Sequence, residues 1–162
     1  MDIFGDNWID HAKKIETNWI KNIHKEDLVL IAGDISWALK FQDALIGLQW
    51  IDSLPGKKVF IKGNHDFWWP SKNVLKNQSP SSLFFIQNDA FEFEDTAVGG
   101  TRLWDSSEIC YDDSFSEKKE DQIQKELQEK IYKRELQRLE LSLKKIDPSK
   151  KIKIALTHYP PV

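Results

Sequence analysis

Two unbroken apolar runs, Leu28-Val29-Leu30-Ile31-Ala32 and Val59-Phe60-Ile61, flank a stretch in which Phe41, Ala44, Leu45, Leu48, Ile51 and Leu54 recur at helical spacing. Pro55-Gly56 stops that stretch just before the second run. No other feature narrows the fold as much. Strand, helix and strand in this order form a βαβ unit, in which two parallel strands are joined by a right-handed crossover. The chain is therefore expected to be an α/β protein, with Ile152 to Leu156 as a further strand of the same kind.

The remaining segments fit around that unit. Trp8, Ala12, Ile15, Trp19, Ile20 and Ile23 share the spacing of one buried helical face, which predicts an amphipathic helix over 8–23. Leu83 to Gln87 and Ala90 to Glu94 have the pattern of two short strands around an Asn88-Asp89 turn, with Thr96 to Val98 a third before Gly99-Gly100 breaks the pattern. From about 113 to 147 the composition shifts to Glu, Lys and Gln. Ile123, Leu127, Ile131, Leu136, Leu139, Leu143 and Ile146 keep a roughly helical spacing there, so a long charged helix with one apolar stripe is expected, ended by Asp147-Pro148. Of the seven Trp, Trp8, Trp19, Trp37 and Trp50 are expected to face a core.

With 162 residues, 40% hydrophobic and 30% charged, the chain fits a single globular domain over 1–162. Its longest apolar run falls short of the roughly 18 residues of a spanning helix, and the N-terminus lacks the plan of a signal peptide. No membrane association and a cytoplasmic location are the expectation. Cys110 is the single cysteine, which leaves an incidental loop thiol and no internal disulfide. A net charge of −3, with Lys57-Lys58, Lys118-Lys119 and Lys144-Lys145 scattered among acids as solvated surface, argues against a nucleic-acid partner. A small phosphorylated substrate remains compatible, because bound metal ions supply positive charge locally.

Chemistry concentrates where apolar runs end. In open α/β sheets, ligands bind outside the carboxyl ends of the strands. Asp34 follows Gly33 there, and a carboxylate with two oxygens can contact two cations, although a lone Gly-Asp is equally the mark of a turn or helix cap. Gly63-Asn64-His65-Asp66 sets a neutral oxygen ligand, an imidazole and a carboxylate in succession. Asn64 can offer its amide oxygen to a metal, and His65 can donate a proton to a leaving oxygen. Asp66 has two readings: it orients His65, or it caps a turn. His158 follows the third run, held by the extended Tyr159-Pro160-Pro161. His11, inside the first helix, and His24, in its last turn, are explained by the helix alone.

The ordered set Gly-Asp, Gly-Asn-His-Asp and a strand-borne His before Tyr-Pro-Pro resembles the calcineurin-like metallophosphoesterase superfamily. Phe4-Gly5-Asp6-Asn7-Trp8, Gly33 to Ala38 and Ile61 to Asp66 look like a bacterial branch of it, and the resemblance runs from Phe4 to Pro161. It implies a β-sandwich flanked by helices. It also implies two divalent metal ions (manganese, iron or zinc), with Asp34 bridging them, Asn64 and His158 on the second, and His65 as catalytic imidazole. Members hydrolyse phosphomonoesters or phosphodiesters by in-line attack of a metal-held hydroxide.

The family's Asp-x-His and Gly-His-x-His motifs do not occur in this sequence. The expectation is thus an incomplete domain, truncated at both ends, that binds at most one metal weakly and has little phosphatase activity. The alternative is a non-catalytic scaffold that keeps the fold and presents the charged helix to a partner. Substrate identity, metal identity and oligomeric state are not legible in these residues.

Overall fold

A computed structural model describes residues 5–105 and 122–161. A 3-10 turn, Asp6–Trp8, precedes α1 (His11–Asn22), β1 (Leu28–Ile31), α2 (Phe41–Ser53) and β2 (Lys57–Phe60). Then come α3 (Lys72–Gln78), β3 (Leu83–Phe85), β4 (Ala90–Phe93), β5 (Thr96–Thr101), α4 (Gln122–Leu143) and β6 (Ile152–Thr157). The architecture is mixed α/β, with four α-helices and two three-stranded sheets among the described residues. One sheet is parallel, in the order β1-β2-β3; the other runs β4-β5-β6, with β4 antiparallel and β6 parallel to β5.

Side-chain alternation in β2 explains how the layers form, because successive residues of a strand face opposite sides. Phe60 joins a cluster with Phe41, Ala44, Leu48 and Ile51 of α2, and with Trp68, Trp69 and Leu75. Val59 and Ile61 turn the other way, into a second cluster with Val98, Phe91, Ile154 and Leu156 of the other sheet. Each fully buried aliphatic or aromatic side chain contributes roughly 1.5–3 kcal/mol. Lys58 shares the Phe60 face and is only 2% exposed, so it is not the solvated surface residue its pairing with Lys57 suggested. Its ammonium donates to the carbonyls of Asp52 (3.2 Å) and Leu54, capping α2, and burial pushes its pKa below the ordinary value.

Several elements differ from expectation. The helix expected over 8–23 is α1, and none of its residues is buried: Ile15 and Ile20 are exposed, while Trp19 packs on the first cluster and donates to Pro55 O at 2.9 Å. Trp8 and Trp37 are exposed, contrary to expectation, while Trp50 packs half-buried against the first cluster as expected and Trp68 and Trp69 fill it. The turn at Asn88-Asp89 does not close a hairpin but passes the chain from one sheet to the other, and the hairpin is β4–β5. Gly99 and Gly100 do not break a strand either: β5 runs through both. A Cβ at Gly99 would meet Leu143, Ile146 and Ser142 at 3.1–3.2 Å, so glycine there lets α4 and the turn after it lie directly on β5.

Within the region expected to be helical over 113–147, α4 occupies Gln122–Leu143; residues 106–121, Cys110 included, lie outside the described residues. Its contact with the sheet is partly the expected apolar stripe, with Leu143 and, in the turn that follows, Ile146 against Gly99, and partly polar. Glu135 and Ser142 are the buried residues, while Ile123, Leu127, Leu136 and Leu143 are exposed. Ser142 Oγ accepts from Gly100 N at 2.7 Å and donates to Asp89 O. No helix among the described residues is long and apolar enough to cross a membrane.

Candidate metal centre

The register between β1 and β2 pairs Ile31 with Phe60, so the chains leave the sheet side by side as Ala32-Gly33-Asp34 and Ile61-Lys62-Gly63. They leave in close contact. A Cβ on Gly63 would lie 2.1 Å from Asp34 Oδ1, and one on Gly33, whose φ is +95°, would lie 2.4 Å from Gly63 N. Only glycine permits both approaches. Asp34 itself sits at φ 56°, a left-handed conformation that an L-residue holds only where its surroundings enforce it.

Asp66 supplies that enforcement. It is fully buried, and its carboxylate accepts from the backbone N–H of Asp34 (2.8 Å), Ile35 (3.0 Å), Ser36 (3.4 Å) and Gly63 (2.7 Å), and from Trp68 Nε1 (3.0 Å). Of the two readings of Asp66, these bonds belong to the one that holds a turn. Its partners are the two loops, not the His65 ring.

His158, just past the end of β6, reaches from the other sheet. Its Nδ1 donates to Ala32 O at 2.8 Å, which leaves the Nε2 lone pair facing outward. Nε2 lies 2.7 Å from Asn64 Oδ1 and 3.5 Å from Asp34 Oδ2. Both side-chain oxygens thus lie within 3.5 Å of one imidazole nitrogen. Two acceptors cannot face each other at 2.7 Å without a cation or proton between them, so this donor set fits a divalent metal of the manganese, iron or zinc kind. Among the described residues no group of three or more His, Cys, Asp or Glu stands together; Asp34 and His158 make two, and Asn64 adds a donor of another type.

The His65 backbone N–H donates to Asp34 Oδ1 at 2.9 Å. Its exposed ring stacks on Trp37 at 5.4 Å and meets the edge of Phe67 at 6.1 Å. The exposed Trp37 and Phe67 therefore border the site rather than fill the core. His11 lies at the start of α1 with Nδ1 against Trp8 O, away from these residues.

Beside the cluster stands a second polar group that the sequence did not disclose. Arg102, the residue after β5, accepts from Tyr159 N through its carbonyl at 2.8 Å and lays its guanidinium over Trp104 at 4.5 Å. Glu135, 1% exposed, accepts from Thr101 Oγ1 at 2.9 Å and from Arg138 at 2.8 Å. Burial, and then the Arg102 guanidinium, hold the Lys62 ammonium below its ordinary pKa. The rule that located Asp34, Asn64 and His158, chemistry at strand ends, also selects Lys62 and Arg102.

Comparison with family models defines the class. The calcineurin-like phosphoesterase model matches residues 4–162. The chain belongs to the calcineurin-like phosphoesterase family, a family of metal-dependent phosphoesterases. No curated protein and no solved structure matches it.

Proposed function

We propose that the chain carries one metal site of a phosphoester hydrolase, with Asp34, Asn64 and His158 as its ligands and the two sheets as the halves of a sandwich that aligns them. The observation that carries this reading is the convergence of His158 Nε2 with Asn64 Oδ1 and Asp34 Oδ2. A bound divalent cation supplies Lewis acidity there, lowering the pKa of water and neutralising charge on a phosphoryl group.

The chain's own residues do the rest. Asp34 would hold the cation through its carboxylate, whose Oδ1 accepts from the His65 N–H, a bond that fixes the carboxylate plane. Ala32 O selects the His158 tautomer that leaves Nε2 free to ligate. The ring nitrogens of His65 are bonded to no described residue, so they are open to hydrogen-bond a phosphoryl oxygen and pass a proton to the departing alkoxide. Asp66 is a positioning residue: it sets Asp34 through the loop backbone.

The substrate class is a small phosphorylated molecule. Titration of the full chain with manganese, followed by elemental analysis, tests the site. One ion per chain is expected, with affinity reduced in Asn64→Ala by at least the roughly 10- to 100-fold that loss of an outer-shell partner costs. Manganese binding unchanged in both Asp34→Asn and Asn64→Ala would overturn the assignment. Because His65 is not a ligand in this scheme, His65→Ala should bind manganese as the parent does while losing any aryl phosphate hydrolysis.

A further inference from the structure

Next to the metal cluster, α4 and the ends of β2, β3 and β5 enclose a small cavity whose charges do not balance. Lys62, Arg102 and Arg138 line it, and Glu135 is its one carboxylate among the described residues. That carboxylate is already engaged. Oε1 takes Arg138 at 2.8 Å with Arg102 Nε and Arg134 Nη2 at 3.4 Å, and Oε2 takes Thr101. The Lys62 ammonium has no hydrogen bond or ion pair with a described residue. Gln87 Oε1, on the cavity wall, is buried without a hydrogen-bond partner among the described residues, and Arg102 Nε meets Glu135 only as a long ion pair at 3.4 Å.

Buried polar groups are normally satisfied, and a surplus of cations against apolar walls such as Trp69 and Ile86 is costly unless an anion completes it. The cavity volume is about 40 Å³. One water needs ~10–15 Å³ on the same measure, so there is room for a group larger than a single water. Stacking on Trp104 holds the Arg102 guanidinium flat, the geometry that suits bidentate contact with an oxyanion. Gln87 Oε1 accepts a hydrogen bond, so it can pair with the hydroxyl of a protonated phosphate.

We infer that this cavity is an oxyanion subsite formed by Lys62, Arg102 and Arg138, and that it takes a phosphate group separate from the one addressed by Asp34, Asn64 and His158. Lys62 stands two residues before Asn64, which puts their Cα atoms within about 7.6 Å. Arg102 is bonded to the neighbour of His158. A ligand with two phosphates can therefore span both places. That spanning role rests on the proposed function; the anion site does not.

The test uses the full chain without metal, in chelator, titrated with inorganic phosphate and followed by phosphorus NMR line width. Saturable binding is expected. Lys62→Met should weaken it by about tenfold or more, Lys62→Arg should restore it, and Asn64→Ala should leave it unchanged. The melting temperature of each variant shows that it is folded. Absence of phosphate binding, binding unaltered in Lys62→Met, or binding lost in Asn64→Ala instead would each overturn the subsite. A second arm with manganese-loaded chain compares inorganic phosphate with propane-1,3-diol bisphosphate. Tighter bisphosphate binding that depends on Lys62 assigns the subsite to a substrate's second phosphate, and equal affinity assigns it to the free ion. Failure to load manganese would count against the metal centre alone.

Discussion

Asp66 and Glu135 are both carboxylates buried to within 1% of completely, yet they leave opposite electrical environments around them. Asp66 is satisfied by four backbone N–H groups and an indole, all neutral. Its negative charge is stabilised but not cancelled. Beside it, Asp34, Asn64 and His158 turn lone pairs inward, and the region calls for a cation. Glu135 is satisfied mainly by guanidinium groups, and with Lys62 the cations on the cavity wall outnumber its one carboxylate, Asp66 acting on Lys62 from outside that wall. That region calls for an anion. What a buried carboxylate does to its surroundings is thus decided by whether its donors carry charge. A phosphoester hydrolase can use both kinds of surroundings within one site.

The largest effect should come from Asp66. Asp66→Ala strands four loop N–H groups and the Trp68 indole, and removing a multiply bonded buried charge acceptor costs on the order of 3–5 kcal/mol. Denaturant titration should show a loss of that size or outright unfolding, with manganese binding abolished because Asp34 is released from its left-handed conformation. Asp66→Asn, which keeps one acceptor oxygen, should fall between the two. If Asp66→Ala kept both stability and metal affinity, the loops would be held by their own packing, and the contrast with Glu135 would collapse.

Glu135→Gln should rank second. The isosteric amide keeps a partner for Thr101 but leaves the guanidinium groups around it uncompensated, for a loss of about 1.5–3 kcal/mol, the range for hydrogen bonds to charged groups. Added phosphate should recover part of this loss, and more of it than in the parent chain. A variant as stable as the parent, with no response to phosphate, would mean that the cations near Glu135 are adequately solvated.

The parts of this organisation that were legible in sequence are those carried by local pattern. In α2 the apolar spacing, the Pro55-Gly56 stop and the flanking strands agree, and Phe41, Ala44, Leu48 and Ile51 are buried. In α1 an equally good spacing fails, because period reports which residues share a face and not whether anything covers that face. Asp34, Asn64 and His158 were found because each follows the end of a strand. The role of Asp66 stayed open between two readings, since three of its partners are backbone groups of a loop some thirty residues earlier in the chain. Glu135 and Arg102 were missed because Gly99-Gly100 resembled a strand end. The pairing of Gly99, Gly100 and Thr101 with β6 shows that β5 continues through both glycines and delivers Arg102 beside Tyr159.

The smallest expected effect has the opposite sign. Lys62 is partly exposed and makes no ion pair with a described residue; burial and the repulsion of Arg102 and Arg138 outweigh the attraction of Asp66 and Glu135, so in the absence of an anion its charge is a cost to the fold. Lys62→Met keeps the aliphatic stem that packs along the cavity and removes only that charge. Solvent screens part of the repulsion, and exposed charge pairs are worth ~0.2–1 kcal/mol, so the variant should be as stable as the parent or more stable by up to that amount. High salt should shrink the difference, because screening acts on the parent's repulsion and not on methionine. Phosphate should reverse it: the parent gains stability by mass action when it binds the anion, while the variant does not. Melting curves in chloride and in phosphate at matched ionic strength measure both signs. A Lys62→Met variant that melts lower than the parent in chloride would show that Lys62 is structural, and the region around Glu135 would then resemble that of Asp66, closed and satisfied without a ligand.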